Sequence, residues 1–252
     1  MPDHRDPYAR SAEFIDLLIA PWWRANAAAV AEAVRAAAGP EGPVVDAGAG
    51  SGRGTRLLLR ELPDAEVLAV EPSPALRSVL LARAADPDWG EGRVTVSGAD
   101  LLSARLPGRI GGLLAMNVLG HFPAERRAEL WALLAERLAP RRGALVNLAP
   151  PLTPAAVPRT PMSEAAVGRR TYRGWGEARP AGGDSVVWRM TYRVEEDGQE
   201  VSSAEVEYAW HVLDEQGLRD EAARHGLQVR RTGPEEAALF LLHRSGEGRA
   251  EA

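Results

Sequence analysis

Short apolar runs alternate with amphipathic segments over residues 40–150. This alternation is typical of repeated βα units on a parallel sheet. It predicts strands at 44–47, 66–70, 93–97, 111–116 and 144–148, and helices at 55–62, 74–83 and 123–138. Ser73 and Pro74 fit the cap and the first position of the second of these helices. We therefore expect a doubly wound α/β core.

The period changes to two between residues 172 and 212. Every second residue of one run is apolar, which predicts a strand with one buried face made of Trp188, Met190, Tyr192 and Val194. Asp197-Gly198 connects this run to a second alternating run, so a hairpin is expected. On its polar face we expect Arg193 to meet Glu205.

Two segments flank this hairpin. The proline-rich stretch 149–161 breaks the βα pattern and predicts an excursion from the core. Residues 213–227 predict a helix, and 228–231 and 237–243 predict two strands that close the sheet.

Composition excludes several kinds of chemistry in the 252 residues. The chain has no cysteine, which removes disulfides, thiolate metal sites and cysteine nucleophiles, and no pair among its five histidines has metal-ligand spacing. We therefore expect no metal. The net charge of −5 argues against a nucleic-acid partner. The charged N-terminal sequence and short apolar runs predict a cytoplasmic protein without a membrane segment.

The loop DAGAGSG, Asp46 to Gly52, joins the first predicted strand to a helix. It does not fit the dinucleotide fingerprint G-x-G-x-x-G/A, because Arg53 or Thr55 stands where a small residue is needed. A P-loop is excluded because the chain has no lysine. Glycines allow a ligand to approach the backbone, and the following helix N-terminus suits a carboxylate. A cofactor with an anionic amino-acid end therefore fits, the alternative being a tight turn without a ligand.

Acidic residues follow the next two strands. Glu71 ends the second strand, nineteen residues after Gly52, where a carboxylate can accept both ribose hydroxyls. Asp100 follows the third strand and can accept from an adenine amino group. Either acid alone would more often be a solvated loop residue. Together with the glycine loop they indicate a nucleoside site.

Residues 40–150 resemble the class I S-adenosylmethionine-dependent methyltransferase family. DAGAGSG is similar to its glycine motif, Glu71 to its ribose-binding acid and Asp100-Leu101 to its adenine site. The resemblance implies S-adenosylmethionine as the cofactor and a Rossmann-like, mostly parallel sheet of seven strands whose last strand is antiparallel. The cofactor-binding residues that it implies are Asp46, Ala47, Gly48, Ala49, Gly50, Gly52, Glu71, Pro72, Asp100, Leu101 and Asn117.

The resemblance also suggests a division of the chain. The expected regions are an N-terminal helical lid at 1–39, the cofactor-binding core at 40–154, an antiparallel β insert at 155–212, the C-terminal part of the core at 213–244 and a frayed tail at 245–252. The insert is similar in placement to the sheet that covers the pocket in glycine and amino-sugar N-methyltransferases, where it often builds a dimer. It therefore allows a homodimer here.

The candidate acceptor residues lie outside the glycine loop. His121 follows the fourth strand, and its ordinary pKa near ~6.5 suits proton removal, although it could instead order the entry to the next helix. The lid suggests Tyr8 and Trp22 as substrate residues, and the insert suggests Tyr172, Trp175 and Arg189. Aromatic residues at these spacings also serve as plain core.

Three functions remain open from the sequence. The first is methyl transfer to oxygen, nitrogen or carbon of a small molecule. The second is an RNA or DNA methyltransferase, which normally carries N/D-P-P-aromatic where this chain has Asn117-Val118-Leu119-Gly120. The third is a methyltransferase-like protein that binds the cofactor without methylating, as a cyclase or a binding module.

Overall fold

The computed structural model describes residue 6, residues 8–89 and residues 92–246. The α-helices in this part of the chain are α1 (Ala12–Ala37), α2 (Arg53–Glu61), α3 (Pro74–Ala84), α4 (Ala124–Arg137) and α5 (Glu215–Ala223). None of these helices is long and apolar enough to cross a membrane. The expected tail lies outside the described residues from residue 247 onward.

A larger and a smaller sheet organise the described strands. The strands of the larger sheet are β1 (Val44–Ala47), β2 (Val67–Val70), β3 (Val94–Ser97), β4 (Gly112–Ala115), β5 (Gly143–Asn147), β10 (Leu227–Thr232) and β11 (Leu239–Arg244). Those of the smaller sheet are β6 (Val157–Val167), β7 (Arg170–Gly182), β8 (Ser185–Glu196) and β9 (Gln199–His211).

The larger sheet has the order β10-β11-β5-β4-β1-β2-β3. Strand β11 runs antiparallel to β10 and β5, whereas β1 pairs in parallel with β2 and β4. Helices α4 and α5 cover one side through Leu130, Trp131 and Leu218. Helices α1 and α2 cover the other side. The predicted fold class is confirmed.

The insert forms an antiparallel sheet in the order β6-β7-β8-β9. The expected hairpin is present: Asp197 and Gly198 separate β8 from β9, with positive φ values of 50° and 78°. The inner face packs against the start of α1, where Phe14 stacks on Tyr192 with 4.8 Å between ring centroids.

The proline-rich stretch 149–161 leaves the core as expected, and its last residues belong to β6 of the smaller sheet. An edge strand tolerates proline, since half of its N–H groups need no partner. One expectation about the insert is wrong, because the Arg193–Glu205 pair is not formed. The register places Ser203 opposite Arg193, so Arg193 pairs with Glu200 at 3.2 Å.

Candidate active site

The glycine loop after β1 has the backbone shape that its sequence predicts. Gly48 and Gly50 have positive φ values of 63° and 57°, which favour glycine. A Cβ on Gly48 would lie 2.6 Å from Cγ2 of Val118, whereas a Cβ on Gly50 would meet no atom within 4 Å. The loop is thus packed at Gly48 and open at Gly50, the position where a ligand can approach the backbone.

Glu71 links the loop to the end of β2. Its carboxylate accepts hydrogen bonds from the backbone N–H of Gly50 at 2.7 Å and of Ser73 at 2.8 Å. Burial raises the pKa of Glu71, and these two amide hydrogen bonds oppose that rise. The acid is therefore held at a fixed place beside the loop, and ribose binding by it stays a prediction.

Asp46 supports the loop from behind. It is 3% exposed and accepts a hydrogen bond from the Thr55 hydroxyl at 2.6 Å, which ties β1 to α2. Burial raises the pKa of Asp46 to about 7, against the hydrogen bond from Thr55. Ala47 and Ala49 are buried beside it. These three residues shape the loop, and direct contact with the cofactor stays a prediction for them.

The remaining predicted cofactor residues follow β2, β3 and β4 at the same edge of the sheet. Pro72 and Asp100 are exposed, while Leu101 is buried. Asp100 accepts from the N–H of Leu102 at 3.0 Å. Asn117 has a φ of 59° and forms two hydrogen bonds with Asn147, which the sequence analysis did not single out. This pair joins the ends of β4 and β5.

These residues fit S-adenosylmethionine. The open face of Gly50 and the N-terminus of α2 suit the carboxylate of its amino-acid end. Glu71 provides an acceptor for ribose hydroxyls, and the exposed carboxylate of Asp100 provides one for an amino group. Pockets of doubly wound sheets lie at this edge. The fold and the site are similar to those of class I S-adenosylmethionine-dependent methyltransferases.

His121 lies in a short 3₁₀ turn, Leu119–His121, just after β4. A hydrogen bond of 2.8 Å joins its Nε2 to the Tyr8 hydroxyl. The Tyr208 and Trp210 rings, from the inner face of β9, complete an aromatic cluster around the imidazole, with centroid distances to His121 of 6.2 and 5.0 Å. Four side chains from three distant parts of the chain therefore meet at one place.

The charge state of this cluster follows from its surroundings. Desolvation, with a smaller contribution from His211, lowers the pKa of His121 from its ordinary value to about 4. Desolvation raises the pKa of Tyr8 well above its ordinary value and that of Tyr208 to about 12. At neutral pH the imidazole and both phenols are therefore uncharged.

The turn that carries His121 is fixed from two sides. Arg127 is 2% exposed, donates to the carbonyl oxygen of Phe122 at 2.8 Å and forms an ion pair of 2.7 Å with Glu221. On the other side, a Cβ on Gly120 would overlap the indole ring of Trp210. Only glycine allows the turn to pack this closely against β9.

The structure does not bring the other predicted acceptor residues to His121. Trp22 lies fourteen residues after Tyr8, ~20 Å along a helix, and packs against Trp23 and the core beneath α1. Tyr172 contacts Phe14, with ring centroids 6.1 Å apart.

Trp175 and Arg189 lie on the outer face of the insert sheet. Arg159 and Arg193 flank Trp175 at 5.0 and 5.5 Å, and Arg189 faces Glu205 at 3.3 Å. Since side chains alternate along a strand, neither residue shares a face with Tyr208. Neither residue therefore belongs to the aromatic cluster at His121, and a role toward substrate stays a prediction for both.

A polar cluster between α1 and the glycine loop was not predicted from the sequence. Asp16 accepts hydrogen bonds from Ser51, Arg53 and Arg83, and Asp6 accepts one from the Ser73 hydroxyl at 2.7 Å. A single acid in an amphipathic helix carries no signal of such a role. Tyr208 and Trp210 were visible only as the apolar face of a strand.

A comparison with protein families supports the interpretation of the core as a methyltransferase domain. Residues 44–141 match the family model described as a methyltransferase domain. The predicted enzyme class, a methyltransferase, and the predicted cofactor, S-adenosylmethionine, are confirmed. No curated protein sequence matches the chain.

Solved structures resemble the chain over most of its length. DesVI of Streptomyces venezuelae is 20% identical, with a TM-score of 0.72 over 92% of this chain and 98% of that one. CalS10 from Micromonospora echinaspora, an amino pentose methyltransferase, is 15% identical, with a TM-score of 0.68 and coverages of 88% and 92%. KedS8 from Streptoalloteichus, a sugar N-methyltransferase, is 16% identical, with a TM-score of 0.63 and coverages of 94% and 88%. At these identities the likeness establishes the shared fold.

Proposed function

We propose that the protein transfers a methyl group to the nitrogen of a small-molecule amine, with Tyr8 and His121 at the acceptor. The observation that carries this proposal is the Tyr8–His121 hydrogen bond inside an aromatic cluster. When bound, S-adenosylmethionine supplies an electrophilic methyl group, whose bond to sulfur breaks as the bond to nitrogen forms, with the electron pair leaving on sulfur.

The weakness of the base favours nitrogen over oxygen. An imidazole with a pKa of about 4 is a poor match for an aliphatic hydroxyl, whose pKa resembles that of water, ~15.7. An amine becomes nucleophilic once its ammonium form loses a proton, and the pKa of that proton is ~10. Desolvation by the aromatic rings lowers that value further, because it disfavours the ammonium form.

The proton has a defined route in this proposal. With the Tyr8 hydroxyl donating to Nε2 of His121, the phenol oxygen keeps lone pairs that can accept from the substrate N–H. Tyr8 then accepts the proton lost by nitrogen and at the same time transfers its own hydroxyl proton to Nε2 of His121. Aromatic faces around the site attract a cationic substrate before deprotonation.

Two of the structural neighbours are named as sugar methyltransferases, one as an amino pentose methyltransferase and one as a sugar N-methyltransferase. This likeness supports a small amine as the acceptor and gives no support to a nucleic-acid acceptor. The amino sugar class is therefore the first to test.

The test uses methyl-labelled S-adenosylmethionine with paired acceptors that differ only in one group, such as an amino sugar and the sugar with a hydroxyl in its place. We expect label on the amine and none on the alcohol. Label on the alcohol would contradict the proposal. Tight cofactor binding without transfer to any amine of a broad panel would favour the cyclase or binding-module alternative.

The proposed assembly is a homodimer through the insert sheet. Light scattering of the purified protein across a range of concentrations tests it, and a mass of one chain at all concentrations would exclude it.

A further inference from the structure

Residues 8–16, here called the strap, lead from His121 into the second turn of α1. The Tyr8 carbonyl oxygen accepts hydrogen bonds from the N–H groups of Ser11 and Ala12 at 3.0 and 2.8 Å. Tyr8 is therefore joined to the first turn of the helix. Asp16 lies eight residues further on, ~12 Å away along a helix axis. A shift of the helix start must move Tyr8 with it.

Asp16 fastens the strap to the glycine loop. Its carboxylate accepts from the Ser51 hydroxyl, from Arg53 at 2.9 Å and from both terminal nitrogens of Arg83 at 3.0 Å. Arg53 also donates to the Asp16 carbonyl oxygen at 2.8 Å. Burial opposes ionisation, yet the hydrogen bonds from Arg83 and Ser51 lower the pKa of Asp16 to about 2. The contact is therefore charged at any working pH.

The arginines also reach the loop itself. Arg83 donates to the Ser51 carbonyl oxygen at 2.9 Å, and Ser51 is 4% exposed in the middle of DAGAGSG. The cluster thus joins three elements: α1, the glycine loop with the start of α2, and α3. A displacement of the strap along any direction would break several charge-assisted hydrogen bonds at once.

A second anchor holds the strap to the insert sheet. Phe14 stacks on Tyr192 at an interplanar angle of 12°, and the Ser163 hydroxyl donates to the Leu18 carbonyl oxygen at 2.7 Å. Stacked rings favour a spacing but tolerate a range of offsets. This anchor fixes the distance between helix and sheet and leaves the position along the helix axis less defined than Asp16 does.

We propose that Asp16 is a positioning residue for the acceptor site: by holding the strap on Ser51, Arg53 and Arg83, it sets where Tyr8 meets His121. The proposal rests on the proposed function, because it takes the Tyr8–His121 pair as the acceptor machinery. It makes the place where the acceptor binds dependent on the loop that binds the methyl donor.

The test compares Asp16→Asn with Glu13→Gln, which removes an exposed charge from the same helix three residues earlier. Amide hydrogen exchange of residues 8–15 is measured on the full chain. The pKa of His121 is measured by NMR titration, and the His121→Asn variant identifies the His121 signal. In Asp16→Asn we expect exchange of residues 8–15 to be at least tenfold faster and the pKa of His121 to rise toward ~6.5, because Tyr8 no longer covers the imidazole. In Glu13→Gln both should match wild type.

Arg83→Gln provides a second variant if Asp16→Asn does not fold, and Asp16→Glu should restore at least part of the protection. Unchanged exchange and unchanged His121 titration in Asp16→Asn would overturn the proposal and leave the Phe14–Tyr192 stack as the sufficient anchor. Neither measurement needs turnover or an acceptor. A negative result here is therefore distinct from failure of methyl transfer to amines.

Discussion

The proposed donor and acceptor ends of this site are built in opposite ways. At the donor end, Gly50 and Glu71 follow β1 and β2, two adjacent parallel strands, and are joined by a hydrogen bond of 2.7 Å. At the acceptor end, Tyr8, His121 and Trp210 come from an N-terminal strap, a turn after β4 and an insert. The donor end is a property of local chain order, whereas the acceptor end exists only after three remote segments have packed together.

Loss of Glu71 should break the donor end most severely. Glu71→Ala leaves the N–H groups of Gly50 and Ser73 without their acceptor and removes the ribose acceptor. Charge-assisted hydrogen bonds contribute ~1.5–3 kcal/mol each, so we expect affinity for S-adenosylhomocysteine to fall ~100-fold or more. Calorimetric titration measures it, with Glu66→Ala, an exposed acid just before the same strand, as the control. An unchanged affinity would remove Glu71 from the cofactor site.

Loss of the imidazole should affect the acceptor end alone. For His121→Asn we expect kcat to fall ~100-fold, near the lower end of general-base effects because the base is weak. Affinity for S-adenosylhomocysteine should stay within ~3-fold of wild type, since the donor residues are intact. Steady-state kinetics on an amine and calorimetry measure the two quantities, with His225→Asn as the control. A large loss of cofactor affinity would show that the two ends are not separable at this residue.

The contact between the turn and the insert can be tested by stability. Gly120→Ala would place a methyl group in the Trp210 indole, and overpacking of this kind costs ~1–3 kcal/mol. Gly108→Ala is the matched control, because a Cβ there meets nothing within 4 Å. Denaturant unfolding gives both values. Equal stability of the two variants would mean that the turn and β9 do not pack as described.

A pH-dependent effect is expected from Asp46, whose burial raises its pKa to about 7. A carboxyl with a raised folded-state pKa stabilises the fold fully below its unfolded pKa, ~3.9, and that stability is lost as the pH rises through about 7. Asp46→Asn cannot ionise, so it should gain on wild type by ~2–3 kcal/mol between pH 5 and pH 8. Thermal unfolding at both pH values measures the gain, and the exposed Asp64→Asn should show none. A parallel loss in both proteins would place the titrating group elsewhere.

The donor end could be predicted because its signals are local. A strand, alternate glycines and an acid after the next strand occur in fixed order, and parallel strands bring such positions to one edge of the sheet. The same rule located His121 after β4. The seven-stranded, mostly parallel sheet and its antiparallel last strand were predicted from the family resemblance, and both are confirmed.

The acceptor end could not be predicted to the same depth, because remote packing decides it. The period of two in β8 and β9 showed which residues share a face, and that face contains Tyr208 and Trp210. It did not show that this face meets His121, or that Trp175 and Arg189 face away. Asp16 has no sequence signal, since its partners Ser51 and Arg53 are thirty-five and thirty-seven residues away.

The fit of Gly120 under Trp210 has a consequence for how this enzyme can evolve. Because any side chain at 120 would overlap the indole, a larger residue at 120 requires a smaller residue at 210 before or alongside it. An adaptive path toward a new substrate that replaces Trp210 would leave empty space over the turn beside His121. The order of changes therefore matters, since position 120 becomes free to vary only after, or together with, a change at position 210.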